Sequence, residues 1–426
     1  MMTRFTERPP SHLLSLVLLL LLVGAGIPVP GLAQTQAQVQ EAIDEVRRAY
    51  VPDGRLELFQ VEVGTGLALE GVTTLSEARN ALLRKLDSLG VAEDVSVAIT
   101  VLPDPALGQA HWGLVTVSVS NLRTRPGHSQ ELTTQVLMGT PVRILMKEGG
   151  WLRIRTPEGY IAWVDDGAVH SMTREELDRW NRGSRMMFVR DFGLLHESPG
   201  SRAVVSDVSL GGIVGVLEQS GEWTHVILPD GRGGWLPSDD LMPLEGVAAV
   251  GAGGEMPQAA SLIALARIFM GRPYLWGGTS AHGVDCSGFM KTVFHRHGII
   301  LSRDANQQVL HGREIPFQGD WHVLEPGDLL FFGRAATSER AERVTHVAMY
   351  MGQGRYIHSS GSPARVGINS LEESDPDFNR SLLEILLHVR RLEHPDGEQG
   401  PWSVARHPWY GNPGGGASKP EPEGAP

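Results

Sequence analysis

The stretch RPYLWGGTSAHGVDCSGFMKTVFHRHG, residues 272–298, contains the only cysteine of the chain, Cys286. Gly277 and Gly278 mark a turn, Asp285 is a residue type that caps helix N-termini, and Phe289, Met290, Val293 and Phe294 form one apolar stripe that Gly298 closes. The spacing therefore predicts a helix that opens at Asp285-Cys286. A thiol in the first turn of a helix meets the positive end of the macrodipole and unsatisfied N–H groups, and both favour thiolate over thiol. Such a cysteine is a nucleophile that needs a base close in space rather than in sequence. The alternative is an inert buried cysteine acting as a small hydrophobe.

Sixteen histidines are available, and most, including His295 and His297, read as surface or packing residues. The segment RVTHVAMYMGQGRYIHSSG, residues 343–361, is different. It predicts a hairpin with strands Val344–Met351 and Arg355–Ser360 around the loop Gly352-Gln353-Gly354. A three-residue loop pairs Met351 with Arg355 and Ala348 with His358, which puts His346 and His358 on one sheet face, one diagonal apart. A two-residue loop would put them on opposite faces. On a shared face one imidazole can orient the other, as a nucleophile, base and orienter arrangement requires.

The remainder of the chain bounds the setting. At 426 residues it is long enough for several domains. The formal charge of −12, from 37 basic and 49 acidic residues, comes without any block of Lys or Arg, which argues against a nucleic-acid partner. Arg4 and Arg8, the Leu13–Val23 run and Gly31-Leu32-Ala33 compose a secretory signal, residues 1–33. Its apolar run falls short of a membrane span, so export to a periplasm or the exterior is expected, with no stable membrane insertion after cleavage. Residues 34–112 then read as a small α+β unit of structural or docking duty, its second helix ending at Gly90.

Two segments that follow repeat one another. Each has a Pro (Pro126, Pro199), a first Trp (Trp151, Trp223), a Pro-x-Gly turn at 157–159 or 229–231, and a second Trp twelve positions after the first (Trp163, Trp235). Short alternating strands between Gly and Pro turns resemble tandem bacterial SH3-like barrels, residues 113–172 and 184–247. The tryptophans are expected in barrel core or groove lining. A mixed helix and strand unit occupies 254–392, and the Gly- and Pro-rich residues 393–426 are expected to be a disordered tail.

Five ordered blocks, RPYLWGGTSAHGVDCSGF, SRDANQQ, PGDLLFF, THVAMYMG and YIHSSG, resemble the NlpC-type cell-wall cysteine peptidases. The resemblance implies an α+β fold: a papain-like peptidase domain, preceded here by the two SH3-like barrels and the small N-terminal unit. It implies Cys286 as nucleophile, His346 as general base and His358 as its orienter, with Tyr274 beside the oxyanion site. The combination of barrels and peptidase is similar to the γ-D-glutamyl-L-diamino acid endopeptidases, which act on peptidoglycan stem peptides with a free N-terminal L-Ala. That substrate asks for an anionic site for its amine and a cationic one for the D-Glu carboxylate, which Asp285 and Arg303 fit with help from Ser287. Tyr160 of the first barrel is the candidate to close the pocket, since the second repeat has Arg232 in its place. No cofactor is implied, and a single Cys among scattered His gives no metal-ligand spacing. Two other readings stay open: a wall-binding scaffold with an inert peptidase domain, and a thiol-dependent amidase or acyltransferase.

Overall fold

The computed structural model describes residues 30–247, 254–395 and 401–411. The expected leader lies outside the described residues except for its last four positions, which open the helix Pro30–Tyr50. No helix of the described residues is long and apolar enough to cross a membrane.

The N-terminal unit forms around the Ser76–Ser88 helix, whose Ala78, Leu82 and Leu86 recur at helical spacing and are buried. That helix ends in a Schellman pattern, with Gly90 N–H donating to Asp87 and Val91 N–H to Leu86. It crosses over a three-stranded sheet in which Ala68–Thr73 pairs antiparallel with Phe59–Val63 and parallel with Ser96–Val101. Of the segment RLELFQVEV, residues 55–63, only Phe59–Val63 joins this sheet. Arg55 instead sits in a turn, its backbone and side chain both donating to Asp53.

Each repeat builds a seven-stranded antiparallel sheet with its own core, one over 112–172 and the other over 185–243. The repeated tryptophans fall at equivalent places in the ladder: Arg153 faces Trp163 in the first unit, and His225 faces Trp235 in the second. The turns between those strands also match. Thr156 N–H donates to Tyr160 and Leu228 N–H to Arg232, around Gly159 and Gly231 with φ of 89° and 88°, values that strongly favour glycine. The helix Arg174–Arg182 joins the two units and starts from a capping box of Thr173 and Glu176.

The third unit packs the helix Cys286–His295 against a six-stranded antiparallel sheet, ordered Arg313–Glu314, Leu386–Arg391, Leu329–Arg334, Arg343–Gly352, Arg355–Ser360, Arg365–Ser370. The stripe legible in the sequence faces inward: Phe289, Met290, Val293 and Phe294 are buried against Phe331, Val347, Met349 and Ile357.

The expectation of a disordered tail is corrected over residues 401–411. Trp402–Ser403 pairs with Ile299–Ile300, and Trp409 packs edge-on against Trp112 at 5.3 Å. His407 Nε2–H donates to Pro157 O at 3.1 Å, and Arg185 Nη2 donates to Tyr410 O at 2.9 Å. Val404, Ala405, Trp409 and Tyr410 are all buried. Gly and Pro are abundant over 393–426 as a whole, but burial of the few large apolar side chains within 401–411 is enough to dock that stretch.

Candidate active site

Asp285 caps the helix that carries the thiol. Its Oδ1 accepts from Gly288 N–H at 2.7 Å, and its Oδ2 from Gly277 N–H at 3.0 Å. Position 288 must be glycine for a steric reason: a Cβ there would lie 2.0 Å from Gly278 O, so the first helical turn rests directly on the preceding loop. Cys286 is buried, and its thiol reaches toward the Thr345 carbonyl at 4.0 Å. Thr345 is the extra residue of a β-bulge, since Phe332 faces His346 while Gly333 faces Val344. Bulges beside active sites serve to re-aim a strand, and this one turns a carbonyl toward the sulfur.

Helix-terminal N–H groups favour a thiolate, and in the packed domain burial opposes them. Burial, and after it the Asp285 charge, push the Cys286 thiol up to about 12, outweighing the Ser287 N–H and the Arg303 guanidinium. Burial thus favours the thiol form of Cys286 over the thiolate.

The two histidines meet, by a different route from the one expected. Gly352 faces Arg355 across a two-residue turn, Gln353-Gly354, which alone would place the imidazoles on opposite faces. Met351, however, is bulged out, so Tyr350 faces Tyr356 and Met349 faces Ile357, which is the register a three-residue loop would give. His346 Nε2 and His358 Nδ1 are then 2.8 Å apart.

The proton positions follow from the outer end of this chain. Asn369 Nδ2 donates to Asp377 O at 3.0 Å, so Asn369 Oδ1, 3.0 Å from His358 Nε2, must accept. His358 therefore holds its proton on Nε2. Burial lowers its pKa to about 4 against the raising effect of Asn369, so it is neutral at neutral pH and its Nδ1 accepts from His346 Nε2–H. Burial first, and then His358, lower His346 to about 3, leaving a neutral imidazole whose unprotonated nitrogen is Nδ1. His346 thus has a fixed tautomer and directly follows Thr345, whose carbonyl faces the Cys286 sulfur.

A cavity of about 720 Å³ brings Cys286 together with the other sequence candidates Tyr274, Asp285, Ser287, Arg303 and Tyr160. Asp285 and Arg303 are ion-paired with one another. Arg303, 1 % exposed, donates from Nη2 to Asp285 Oδ2 at 2.5 Å and from Nη1 to Asp285 Oδ1 at 3.2 Å and Ser287 Oγ at 3.0 Å, while its buried Nε has no partner among the described residues. Tyr160 is both a core residue of the first SH3-like unit, 5 % exposed, and part of the cavity wall, and its phenol is raised by burial first and by Asp304 next. Burial, and after it the neighbouring Cys286 and Asp285, likewise raise Tyr274.

Sequence reasoning missed four contributors. Asn369 is on the last strand, where His358 faces Gly367 and Asn369 is the next residue on the same face; the polar residue in alternation was the available signal. Arg55 and Gln60 come from the N-terminal unit, and Arg55 links Asp53 at 2.7 Å to Asp304 at 2.6 Å on the cavity wall. Arg153 comes from the first SH3-like unit. Nothing local in the sequence marks residues that reach a site through domain packing.

Residues 271–379 match the NlpC/P60 family, and residues 122–169 match the bacterial dipeptidyl-peptidase Sh3 domain. The chain is 30 % identical over 249 residues to the gamma-D-glutamyl-L-lysine dipeptidyl-peptidase of Bacillus cereus, an alignment that spans 57 % of this chain and 71 % of that protein. The chain belongs to the NlpC/P60 family. Proteins of the NlpC/P60 family are cysteine peptidases, and Cys286 is the one thiol this chain has. Dipeptidyl-peptidase 6 of Lysinibacillus sphaericus is 28 % identical over 294 residues, 66 % of this chain and 98 % of that one. The solved structure of an NlpC/P60 family protein from Bacillus cereus superposes with a TM-score of 0.57 at 25 % identity, covering 66 % of this chain and 99 % of the other. SH3-like units followed by an NlpC/P60 domain are thus the architecture of this chain. The N-terminal unit lies outside both matched stretches.

Proposed function

We propose that the protein is an exported cysteine peptidase that hydrolyses the bond between γ-D-Glu and an L-diamino acid in peptidoglycan stem peptides carrying a free N-terminal L-Ala. One observation carries this reading: Tyr160 of an SH3-like unit walls the same cavity as Cys286, Asp285, Ser287 and Arg303. A peptidase cleft closed by a neighbouring domain has room for a short end of peptide. Two relatives named gamma-D-glutamyl-L-lysine dipeptidyl-peptidase, from Bacillus cereus and Bacillus subtilis, support the same bond.

In this mechanism His346 Nδ1 takes the Cys286 proton as Sγ attacks the γ-carbonyl carbon, so that a neutral pair becomes charged only along the reaction path. The oxyanion is met by the Cys286 N–H at the helix terminus and by the Tyr274 hydroxyl. Collapse breaks the C–N bond, and His346 returns its proton to the leaving amine. Water, deprotonated by His346, then hydrolyses the thioester and restores the thiol. His358, held by Asn369, keeps the His346 proton on Nε2 throughout. On the acyl side the Asp285 carboxylate and the Tyr160 hydroxyl accept from the substrate ammonium, and Ser287 and the free Nε of Arg303 serve the D-Glu carboxylate.

The test is product analysis on L-Ala-γ-D-Glu-diaminopimelate, with free and N-acetylated amines. Release of the diamino acid from the free peptide, lost with Cys286→Ala or His346→Ala and strongly weakened by acetylation, is expected. Undiminished turnover by Cys286→Ala, or equal rates on free and blocked peptides, would sink the reading.

A further inference from the structure

Arg55, Arg153, Arg303 and Arg343 wall the cavity and are not equivalent: Arg343 is exposed, whereas Arg153 is partly buried. Arg303 is neutralised by Asp285, and Arg55 by Asp53 and Asp304. Arg153 has no such partner. Its Nη1 donates to the neutral amide of Gln60 at 2.7 Å, its guanidinium carbon stands 5.4 Å from the centre of the Trp163 ring, and its Nε is buried without a hydrogen bond. Among the described residues no carboxylate comes within ion-pair distance of it.

The internal repeat shows that the fold does not require an arginine there. The equivalent position of the second SH3-like unit is His225, which stacks on Trp235 with centroids 4.6 Å apart. The two units share hairpin, turn and tryptophan, and they differ in what the strand residue presents: a ring laid on a ring in one, an unneutralised fork facing a cavity in the other. Burial opposes the Arg153 charge and outweighs the support of Glu148, holding it at about 10, well below its ordinary value. A cation kept partly desolvated, with Glu148 as a counter-charge only beyond ion-pair distance, is prepared to gain from a closer anion, and a planar guanidinium matches a carboxylate in two bonds at once.

We propose that Arg153, oriented by Gln60 of the N-terminal unit, is a second carboxylate-binding site of the substrate cavity, distinct from Arg303. The proposal rests on the peptidase reading above. It gives the N-terminal unit, which lies outside both matched family stretches, a part in substrate selection. The carboxylate can come from the D-Glu α-position or from either carboxylate of the diamino acid.

The experiment measures KM and kcat for the full-length wild type, Arg153→Gln and Arg153→Lys on L-Ala-γ-D-Glu-diaminopimelate, and on three analogues. One has the D-Glu α-carboxylate amidated, one has Lys in place of diaminopimelate, and one has an amidated C-terminus. Loss of a charged hydrogen bond should raise KM for the parent peptide about tenfold to hundredfold in Arg153→Gln with kcat nearly unchanged, and Arg153→Lys should recover part of it. The analogue on which wild type and Arg153→Gln become equal identifies the carboxylate. An unchanged KM for the parent, or a loss of the same size on all four peptides, overturns the proposal. Absence of cleavage of any peptide by the wild type would instead overturn the peptidase reading on which it rests.

Discussion

Replacing Glu158 by Gln removes a counter-charge while leaving the hairpin tip its shape, and the structure sets the size of the effect. Glu158 Oε1 lies 3.3 Å from Lys291 Nζ, and the two side chains are 3 % and 16 % exposed. At that separation, with an effective dielectric constant of about 20, the attraction is roughly 5 kcal/mol. Desolvation of both groups cancels much of it in the intact pair, but removing one partner leaves the other's desolvation uncompensated. Broken buried pairs cost about 3–5 kcal/mol, and Lys291 keeps some access to water, so about 3 kcal/mol is expected for Glu158→Gln. Lys291→Met should cost a similar amount, and Glu158→Gln combined with Lys291→Met less than the sum of the two single changes. Urea unfolding of the full chain, followed by tryptophan fluorescence and evaluated from midpoints and slopes, gives all four corners of the cycle. Single costs below about 1 kcal/mol, or a double variant that loses the sum of the singles, would refute the reasoning. Since Tyr160 follows Glu158 by two residues and Lys291 lies on the Cys286 helix, Glu158→Gln should also raise KM for the free-amine peptide.

Asn369→Ala removes the acceptor that fixes the His358 tautomer; kcat should fall about tenfold to hundredfold with KM little changed, and Asn369→Asp, which still accepts, should recover much of it in steady-state assays. His346 acts as a base only while neutral, and burial lowers it to about 3, so the acid limb of kcat/KM should lie well below pH 6.5 wherever fluorescence shows the fold intact; a limb at 6.5 or above contradicts the assignment. His295 and His407 are each lowered to about 4, chiefly by burial, whereas the unfolded chain protonates them near 6.5. Stability is therefore full above pH 6.5 and falls as pH drops toward 4, by on the order of 3 kcal/mol for each histidine, and a urea midpoint unchanged between pH 7.5 and 5 would contradict this. Trp409→Ala empties the contact with Trp112 and should cost about 3 kcal/mol or more, read as a lowered Tm of the full chain.

The parts of this molecule legible in the sequence are those that local pattern determines. The apolar stripe from Phe289 to Phe294 and the capping aspartate predict the helix, and the twelve-residue tryptophan spacing marks two copies of one unit. The site was legible as far as its residues lie in contiguous blocks. The state of the thiol was not, because helix position is local while burial is a property of the packed domain, and here burial and the Asp285 charge prevail. The Asp285–Arg303 pair was hidden for a related reason: chemistry identifies two charges suited to a zwitterionic substrate, and only their separation shows that they compensate one another first. Arg55, Gln60 and Arg153 reach the cavity from other units. The segment 401–411 was hidden by averaging, since Trp402, Trp409 and Tyr410 are diluted among glycines and prolines in the composition.

The bulge at Met351 bears on how such sites are recognised across diverging sequences. Twelve positions separate His346 from His358, a spacing that a regular two-residue hairpin would misalign, and one unpaired residue absorbs the difference. Loss of Met351 with the turn retained would leave Tyr350 facing Tyr356 and both imidazoles on one face, now eleven positions apart. A dyad of this kind therefore survives a single-residue deletion at that one place, while a deletion inside either paired strand, at Val347 for example, would turn one imidazole away. Alignment of distant relatives is better anchored on which residues pair across the hairpin than on the number of residues between the histidines.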